Sequence, residues 1–160
     1  MSQRGSLIAG LLILALAASY FWWRSQSKQE INRQIDLFIE TVEYEKLSLK
    51  TDEARAEACV KVFGPEVQVA VPSPAPSGKF SEKEIIDQLK RFHGYITFFK
   101  ITESSREIII DGDYATATLS GDMRVAAGPN WKEDLSGSII LNFTNDSDGW
   151  EITGVAVEAQ

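Results

Sequence analysis

The sequence predicts an α+β fold in which a strongly curved antiparallel sheet packs on about three helices. The first observation is the stretch 94–157, where alternating segments are broken by turn sequences at 111–112, 127–130 and 145–149. This pattern indicates a meander of about four long antiparallel strands. The second observation is that the residues upstream carry apolar side chains at helical spacing behind polar caps. We therefore expect helices to fill the concave side of the sheet.

The strand alternation separates a packed face from a solvated face. In the strand that begins at Tyr114, apolar or small side chains alternate with polar ones at a period of two, and the next strand repeats the pattern. Gly121 and Gly137 lie inside these strands, where glycine often marks a bend or bulge, so the sheet is expected to curve strongly. The members expected on the packed face are Ala115, Ala117, Leu119, Gly121, Met123 and Val125, then Leu135, Gly137, Ile139, Leu141 and Phe143.

Length, charge and composition exclude several classes of function. The chain of 160 residues has room for one domain of roughly 130 residues behind its apolar start. Its formal net charge of -7 would repel nucleic acid, so no nucleic-acid partner is expected. One histidine and one cysteine, Cys59, leave no cluster for a zinc site, and no phosphate loop or Ser-His-Asp order occurs. We therefore expect no metal and no cofactor, and Cys59 is interpreted as a buried small hydrophobe.

The N-terminal segment has the composition of a membrane anchor. No charged residue occurs from Leu7 to Trp23, and Arg4 and Arg24 bracket this stretch. As a helix it would span roughly 25 Å, which is marginal but adequate for a short or thinned bilayer. Its last residues are aromatic, as in the belt found at membrane interfaces. Residues 1–25 are thus predicted to form an uncleaved transmembrane anchor.

Two other interpretations of this segment stay open. Ala15-Leu16-Ala17 fits a small-x-small cleavage site, which would make the segment a signal peptide, and a buried soluble helix is the other alternative. The positive charges on the two sides are nearly balanced, so they do not fix the orientation. Short N-terminal anchors of this kind commonly export the domain that they carry. We expect a single-pass membrane protein whose domain, residues 26–160, lies outside the cytoplasm on the periplasmic side.

The segments between the anchor and the meander are predicted in the order helix, helix, strand, helix. The predicted first helix covers residues 27–49, and it could continue directly from the membrane segment and so hold the domain close to the bilayer. The predicted second helix covers 51–63. A short strand over 66–71 and a stiff proline-rich connector over 72–78 come next. The last helix covers 81–94, and it begins, like the first, with a capping box.

Four local sequences occur in an order that is similar to that of a known superfamily. They are Phe63-Gly64-Pro65-Glu66-Val67 at the first strand, Gly78-Lys79-Phe80-Ser81 before the last helix, Asp111-Gly112-Asp113-Tyr114-Ala115 at the central hairpin and Gly149-Trp150-Glu151-Ile152-Thr153-Gly154 at the last strand. Together they resemble the NTF2-like superfamily, a cone-shaped α+β fold that includes ketosteroid-isomerase-like and SnoaL-like domains. The resemblance extends over about residues 30–158.

The resemblance implies a pocket between the concave sheet and the helices. Superfamily members use this pocket for isomerisation, dehydration, small-ligand binding or protein docking, so the fold does not select a function. In catalytic members an acid often precedes the proline that ends the first strand, whereas Val71 precedes Pro72 here. The missing base counts against isomerase chemistry. The residues expected to line the pocket are Phe38, Val42, Glu45, Phe92 and His93.

Three titratable residues are candidates for catalysis: Glu45, His93 and Asp122. Glu45 shares a helix face with the predicted pocket residues, although a glutamate at a helix end is usually solvated. His93 is the only histidine, the residue type that titrates near neutral pH, and its place before Gly94 also suits a cation at a helix C-terminus. Asp122 shares a polar strand face with Arg124, which fits an exposed pair or an oligomer contact equally well.

The sequence favours a membrane-anchored binding module over an enzyme. We expect a non-catalytic domain that docks a protein or holds a small ligand, as part of an envelope complex or as a homo-oligomer built on the exposed sheet face. The alternative is a small-molecule isomerase or dehydratase of the ketosteroid-isomerase type, with one of the three candidate residues recruited into the pocket. The lining of the pocket distinguishes the two hypotheses, because an enzyme needs convergent acid and base groups.

Overall fold

Seven strands form one curled sheet in the order β1-β4-β5-β6-β7-β2-β3. The computed structural model describes residues 3–46, 54, 58, 61–72 and 76–159, with side chains given from residue 12 to residue 158 within these ranges. The elements are α1 (Gln3–Val42), β1 (Tyr44–Glu45), β2 (Phe63–Ala70), β3 (Gly78–Ser81), α2 (Glu82–Tyr95), β4 (Phe98–Asp111), β5 (Tyr114–Ala127), β6 (Trp131–Asp146) and β7 (Gly149–Ala159). The predicted α+β class is confirmed.

The four long strands of the predicted meander are confirmed as β4, β5, β6 and β7, each antiparallel to the next. The three predicted turns join them, and Gly112 and Gly128 have φ angles of 57° and 69°, a conformation that favours glycine. Beyond the meander, β2 pairs in parallel with β7 and forms a hairpin with β3. The strand β3 lies between the predicted connector and the predicted last helix, where the sequence predicted no strand.

A β-bulge in β4 bends the sheet at the place where Gly121 and Gly137 face each other. Glu103 pairs with Gly121 and Ser105 pairs with Ser120, so Ser104 is the extra residue on β4. Gly121 in turn pairs with Gly137 on β6. A Cβ atom at Gly121 would collide with the carbonyl oxygen of Thr102. Only glycine allows this close approach, and the strong curvature predicted from the two glycines is confirmed.

The first helix continues directly from the N-terminal segment, one of the two expected arrangements, and it ends earlier than predicted. α1 runs without a break from Gln3 to Val42, so Ser27 lies inside it and does not cap a new helix. Leucine and alanine, which dominate residues 11–18, are good helix formers, as are Arg24 and Gln26, and the helix continues through Ser27. The helix ends before Leu49, because Tyr44 and Glu45 pair with β4 as the short strand β1.

The predicted single transmembrane helix over residues 1–25 is not confirmed. Within the part of the chain that the structure describes, no helix is long and apolar enough to cross a membrane. The side chains of residues 7–11, the beginning of the predicted anchor, lie outside the described residues.

The remaining predicted segments are confirmed in part. The helix α2 begins with the predicted capping box, in which Ser81 and Glu84 exchange hydrogen bonds between side chain and backbone. The predicted helix over 51–63 lies mostly outside the described residues, as does Cys59, although Ala54 and Ala58 are helical. Phe63 belongs to β2 and not to that helix, because it pairs with Ile152 of β7.

The core lies between α1 and the concave face of the sheet. Ile31 and Ile35 of α1 are fully buried, and Phe38 is 5% exposed. The predicted packed face of β5 and β6 is confirmed, since its members Ala117, Leu119, Ile139, Leu141 and Phe143 belong to the same buried cluster. Trp150 and Ile152 of β7 complete it.

Replacing Gly121 by alanine tests the bend. We expect Gly121→Ala to lower the free energy of unfolding by roughly 1–3 kcal/mol, because the added methyl group overpacks a backbone contact. Gly94→Ala is the control, since a Cβ atom there would meet nothing within 4 Å. Urea unfolding followed by circular dichroism measures both variants, and the control should unfold at the wild-type urea concentration or slightly above it. Equal midpoints for Gly121→Ala and the wild type would contradict the close approach.

Candidate functional site

Three of the predicted pocket residues meet where α1 and α2 end. The Nε2 atom of His93 lies 3.1 Å from the carbonyl oxygen of Val42. A carbonyl oxygen only accepts hydrogen bonds, so Nε2 carries the hydrogen and donates it. His93 is 6% exposed, and its ring stacks on Tyr44 at 4.6 Å between centroids. His93 therefore holds the last carbonyl of the neighbouring helix α1, whereas the sequence suggested a role at the end of its own helix.

An aromatic cluster surrounds this histidine. Phe92 packs edge-on against Phe99 at 5.4 Å and lies 5.9 Å from the ring of His93. Phe92 is 38% exposed, so it covers the cluster from outside. Phe38 lies elsewhere, in the core, where its ring meets Phe63 at 6.1 Å. Of the predicted lining residues, Val42, Phe92 and His93 thus lie at this cluster, Phe38 lies in the core and Glu45 is exposed.

The other candidates for acid or base do not join His93. Glu45 is an exposed residue of β1, opposite Phe98. Asp122 lies on the outer face of the sheet, away from the helices, and accepts a hydrogen bond from Ser136 at 2.6 Å. Arg124, its expected neighbour, pairs with Asp134 at 2.7 Å. Among the three candidates, only His93 is buried under the helices.

A charged cluster that the sequence did not reveal ties α1 to β4. Arg106 donates to Glu103 at 2.7 Å, to Asp36 at 2.8 Å and to Asn32 at 2.9 Å. The Arg106 and Glu103 side chains are 21% and 23% exposed. The hydrogen bonds to Glu103 raise the pKa of the Arg106 guanidinium, against the effect of burial, and Asp36 raises this pKa further. The guanidinium stays charged and pairs with both carboxylates.

The bulge explains why Glu103 and Arg106 share a face. Residues three apart on a regular strand point to opposite faces, but the extra residue Ser104 shifts the alternation by one. The packed face of β4 accordingly uses odd positions before the bulge and even positions, such as Ile108 and Ile110, after it. This change of phase is the signal in the sequence that would have located the cluster.

Two voids are lined by described residues of the sheet. The one on the helix side holds about 10 Å³, the space of a single water, and is lined by Ile101, Glu103, Leu119, Ser120, Gly121, Met123, Gly137 and Ile139. The other, about 350 Å³, is a depression on the outer face, lined by Lys100, Thr102, Asp122, Arg124 and Asp134. Its lining mixes both signs of charge.

Buried polar atoms on α1 mark a second part of the interior. Among the buried side chains that the structure describes, Gln34 Oε1 and Thr41 Oγ1 lack a hydrogen-bond partner. Both residues are less than a tenth exposed. They are seven positions apart on one helix flank, hence roughly 10 Å apart. A polar group that reached this flank would find hydrogen-bond partners there.

No metal centre is formed by the residues that the structure describes, since nowhere among them do three or more His, Cys, Asp or Glu side chains come together as ligands.

Acidic side chains lie close enough at the start of β7 to shift the pKa of one of them. The pKa of Glu151 is raised above its ordinary value, mainly by burial and further by the nearby charges of Asp146, Asp148 and Glu82. The charged form of Glu151 is therefore disfavoured in the folded state.

The first half of α1 forms a separate surface, which we call the apolar segment, residues 12–23. It extends beyond the domain, because the first described side chain of α1 that is buried is Ser27. Leu12, Ile13, Leu14, Leu16, Tyr20, Phe21 and Trp22 are all between 53% and 70% exposed. Successive residues of a helix point 100° apart, so these side chains cover its whole circumference.

The comparisons with known proteins agree on the fold. The sequence matches no protein-family model and no curated protein. Among solved structures, an NTF2-like superfamily protein from Salmonella enterica serovar Typhimurium superposes with a TM-score of 0.68 at 17% identity, over 85% of this chain and 92% of that one. A candidate dehydratase of the NTF2-like family from Streptomyces avermitilis superposes with a TM-score of 0.62 at 16% identity, over 86% of this chain and 97% of that one.

A third similar structure, an NTF2-like protein from Cytophaga hutchinsonii, gives a TM-score of 0.62 at 10% identity, over 83% of this chain and 98% of that one. The curled sheet, the helices on its concave side and these superpositions define an NTF2-like fold, as the local sequences implied. Identities this low show the fold alone.

Removing the charge of Arg106 tests the cluster that ties α1 to β4. Arg106→Met keeps the aliphatic stem but leaves Glu103 half-buried without its cation, and we expect a loss of roughly 1–3 kcal/mol in the free energy of unfolding. Arg124→Met is the matched control, because its pair with Asp134 is about two-thirds exposed and should contribute little. Urea midpoints measure both. Equal losses in the two variants would show that Arg106 stabilises no more than a surface charge does.

Neutralising Glu151 tests its pKa shift. A raised folded-state pKa means that the folded protein holds a proton that the unfolded chain has already lost, so stability falls as pH rises from the ordinary value of 4.5 through the raised pKa. Glu151→Gln should therefore raise the urea midpoint at neutral pH, and this advantage should disappear below pH 4.5. A constant difference between variant and wild type across this range would contradict the shift.

Proposed function

We propose that this protein is a membrane-tethered binding or assembly module whose NTF2-like domain works without catalysis. The continuity of α1 is the observation that carries the proposal. A single helix, Gln3–Val42, contains the apolar segment in its first half and core residues such as Ile31 and Ile35 in its second half. The domain is thus held at a fixed position relative to whatever covers the apolar segment.

A lipid bilayer is the proposed environment of the apolar segment. A helix that lies flat on a membrane has a polar and an apolar face, whereas this segment exposes large apolar side chains all round. Burying a Leu or Phe side chain contributes about 1.5–3 kcal/mol, so such a surface is costly in water. Tyr20, Trp22 and Trp23 at its end suit the headgroup region. In this proposal residues 7–23 form the anchor, and the domain lies on the periplasmic side.

The positions of the titratable residues support a role without catalysis. General acid–base chemistry needs groups that converge on one point, but His93 is engaged by Val42, Asp122 is on the outer face and Glu45 is exposed. Glu103, the carboxylate beside the small interior void, is neutralised by Arg106. The similarity to the candidate dehydratase from Streptomyces avermitilis extends to the fold alone. It therefore identifies no catalytic residue in support of the enzyme alternative.

The proposed partner is a protein that docks on the outer face of the sheet, either another envelope component or a second copy of this chain. Polar side chains of neighbouring strands pair across this face, as Thr116 does with Asn142 at 3.1 Å and Ser120 with Ser138 at 3.2 Å. These pairs keep the side chains in place before binding, which lowers the entropic cost of docking. A small polar ligand near Gln34 and Thr41 is the second form of the same binding role.

A charge placed in the apolar segment tests the tether. Leu14→Arg should make the free energy of membrane insertion less favourable by roughly 2.5–3.5 kcal/mol, which lowers the partition coefficient into the bilayer on the order of 100-fold. Leu14 is 68% exposed, so the domain itself should keep its wild-type thermal stability. Gln29→Arg adds the same charge at an exposed position beyond the segment and is the control. Cell fractionation and flotation with phosphatidylcholine vesicles measure association. Undiminished flotation of Leu14→Arg would overturn the tether.

A further inference from the structure

We infer that the β4–β5 and β6–β7 turns form the face of the domain that contacts the lipid headgroups. This inference rests on the proposed tether and adds the orientation of the domain on it. The two turns, Gly112-Asp113 and Ser147-Asp148, are called here the rim turns. The partner proposed for this face is the surface of a bilayer. The contacts of α1 with β4 and with the start of β7 place the rim turns relative to the apolar segment.

The contacts between α1 and β4 show that the two elements run side by side in opposite directions. At one end Glu43 Oε1 accepts from the Ile101 amide at 3.0 Å. Further along, Arg106 bonds Asn32 and Asp36. Between these two contacts α1 advances roughly 13 Å along its axis and β4 advances roughly 16 Å. Because the two distances are similar, a position on β4 can be matched to the position on α1 that lies beside it.

Extending the same scale places the β4–β5 turn beside the end of the apolar segment. From Arg106 to Asp111 the strand advances about 16 Å, equal to about eleven helical residues at 1.5 Å each. Trp23 lies about eleven residues towards the N-terminus of α1 from the contact at Asn32 and Asp36, so the β4–β5 turn would lie beside Trp23 if the axes of helix and strand were parallel. A strand that crosses the helix at an angle projects less, so the turn lies level with a part of α1 between Trp23 and Glu30.

The β6–β7 turn reaches the same level by an independent contact. The Trp150 amide points at Glu30 Oε1, 3.5 Å away, and Gly149 borders the same carboxylate. The Asn145 amide, near the end of β6, donates to the carbonyl oxygen of Asp113 at 2.8 Å, which ties the β4–β5 turn to the strand end beside the β6–β7 turn. Glu30 is seven helical residues, roughly 10 Å, from Trp23. Both turns therefore lie within roughly 10 Å of Trp23 along α1 and face the headgroup layer, which adds roughly 5–7 Å to each side of the hydrocarbon.

The side chains at the rim turns fit a zwitterionic surface. Tyr114 and Ile109 are 67% and 60% exposed, and a tyrosine combines an apolar ring with a polar tip, as the membrane interface requires. Asp111, Asp113, Asp146 and Asp148 give the rim negative charge. Anionic lipids would repel these carboxylates, whereas phosphatidylcholine headgroups, which carry a cation outermost, accommodate them.

The remaining long turn, Gly128-Pro129-Asn130, lies at the other end of the sheet. β5 runs from Tyr114 to Ala127, roughly 40 Å along the strand, and thus separates this turn from the rim turns. Asp113 and Asn130 are both exposed turn residues, so the same label can be placed at each with little effect on the fold. They form a matched pair for measuring orientation.

The test uses the full-length chain in phosphatidylcholine vesicles. Cys59 is replaced by alanine, and a single NBD fluorophore is attached at Asp113→Cys or at Asn130→Cys. The vesicles are prepared with and without a nitroxide on the lipid headgroup. We expect the nitroxide to cause a clear loss of NBD emission at position 113 and no loss at position 130. Thermal melting of each labelled chain confirms that it is folded.

If the labelled chains float with the vesicles but quenching is equal at the two positions, or greater at 130, the orientation is wrong and the tether stands. If the chains do not float, the tether itself is wrong and this inference falls with it. Loss of emission at 113 alone, with flotation, supports both.

Discussion

The packing of one helix face against the concave sheet is the interaction on which the rest of the structure depends. Ile31 and Ile35 are fully buried there, and each such side chain contributes about 1.5–3 kcal/mol. Because α1 continues without a break into the apolar segment, this packing also fixes the direction in which that segment leaves the domain. A flexible linker would have left the domain and the segment independent of each other.

The curvature of the sheet and the attachment of α1 have a common origin in the β4 bulge. Ser104 is the extra residue, Gly121 allows the close approach beside it, and the shift of phase brings Glu103 and Arg106 to the same face. Arg106 can then reach across to Asp36 on the helix. The bulge therefore bends the sheet around the helix and also supplies the charged group that holds the helix in place.

The titratable groups under the helices serve the architecture. His93 donates to the carbonyl of Val42 at the end of α1, and Arg106 forms ion pairs with carboxylates on both α1 and β4. Such bonds link elements that come from distant parts of the chain, and a buried charge that loses its partner is costly. This use of its polar residues is consistent with a domain that holds a fixed shape for binding, and the rigid helix α1 carries that shape to the proposed membrane surface.

The sequence alone determined the features that depend on neighbouring residues. The meander from β4 to β7, its turns, the packed face of β5 and β6 and the capping box of α2 follow from alternation and turn chemistry, which are local. Tertiary structure decided what depends on residues far apart in the chain. Tyr44 left the helix because β4 offered it a strand partner. The contacts of His93 with Val42 and of Arg106 with Asp36 join separate segments, and no spacing within either segment specifies them.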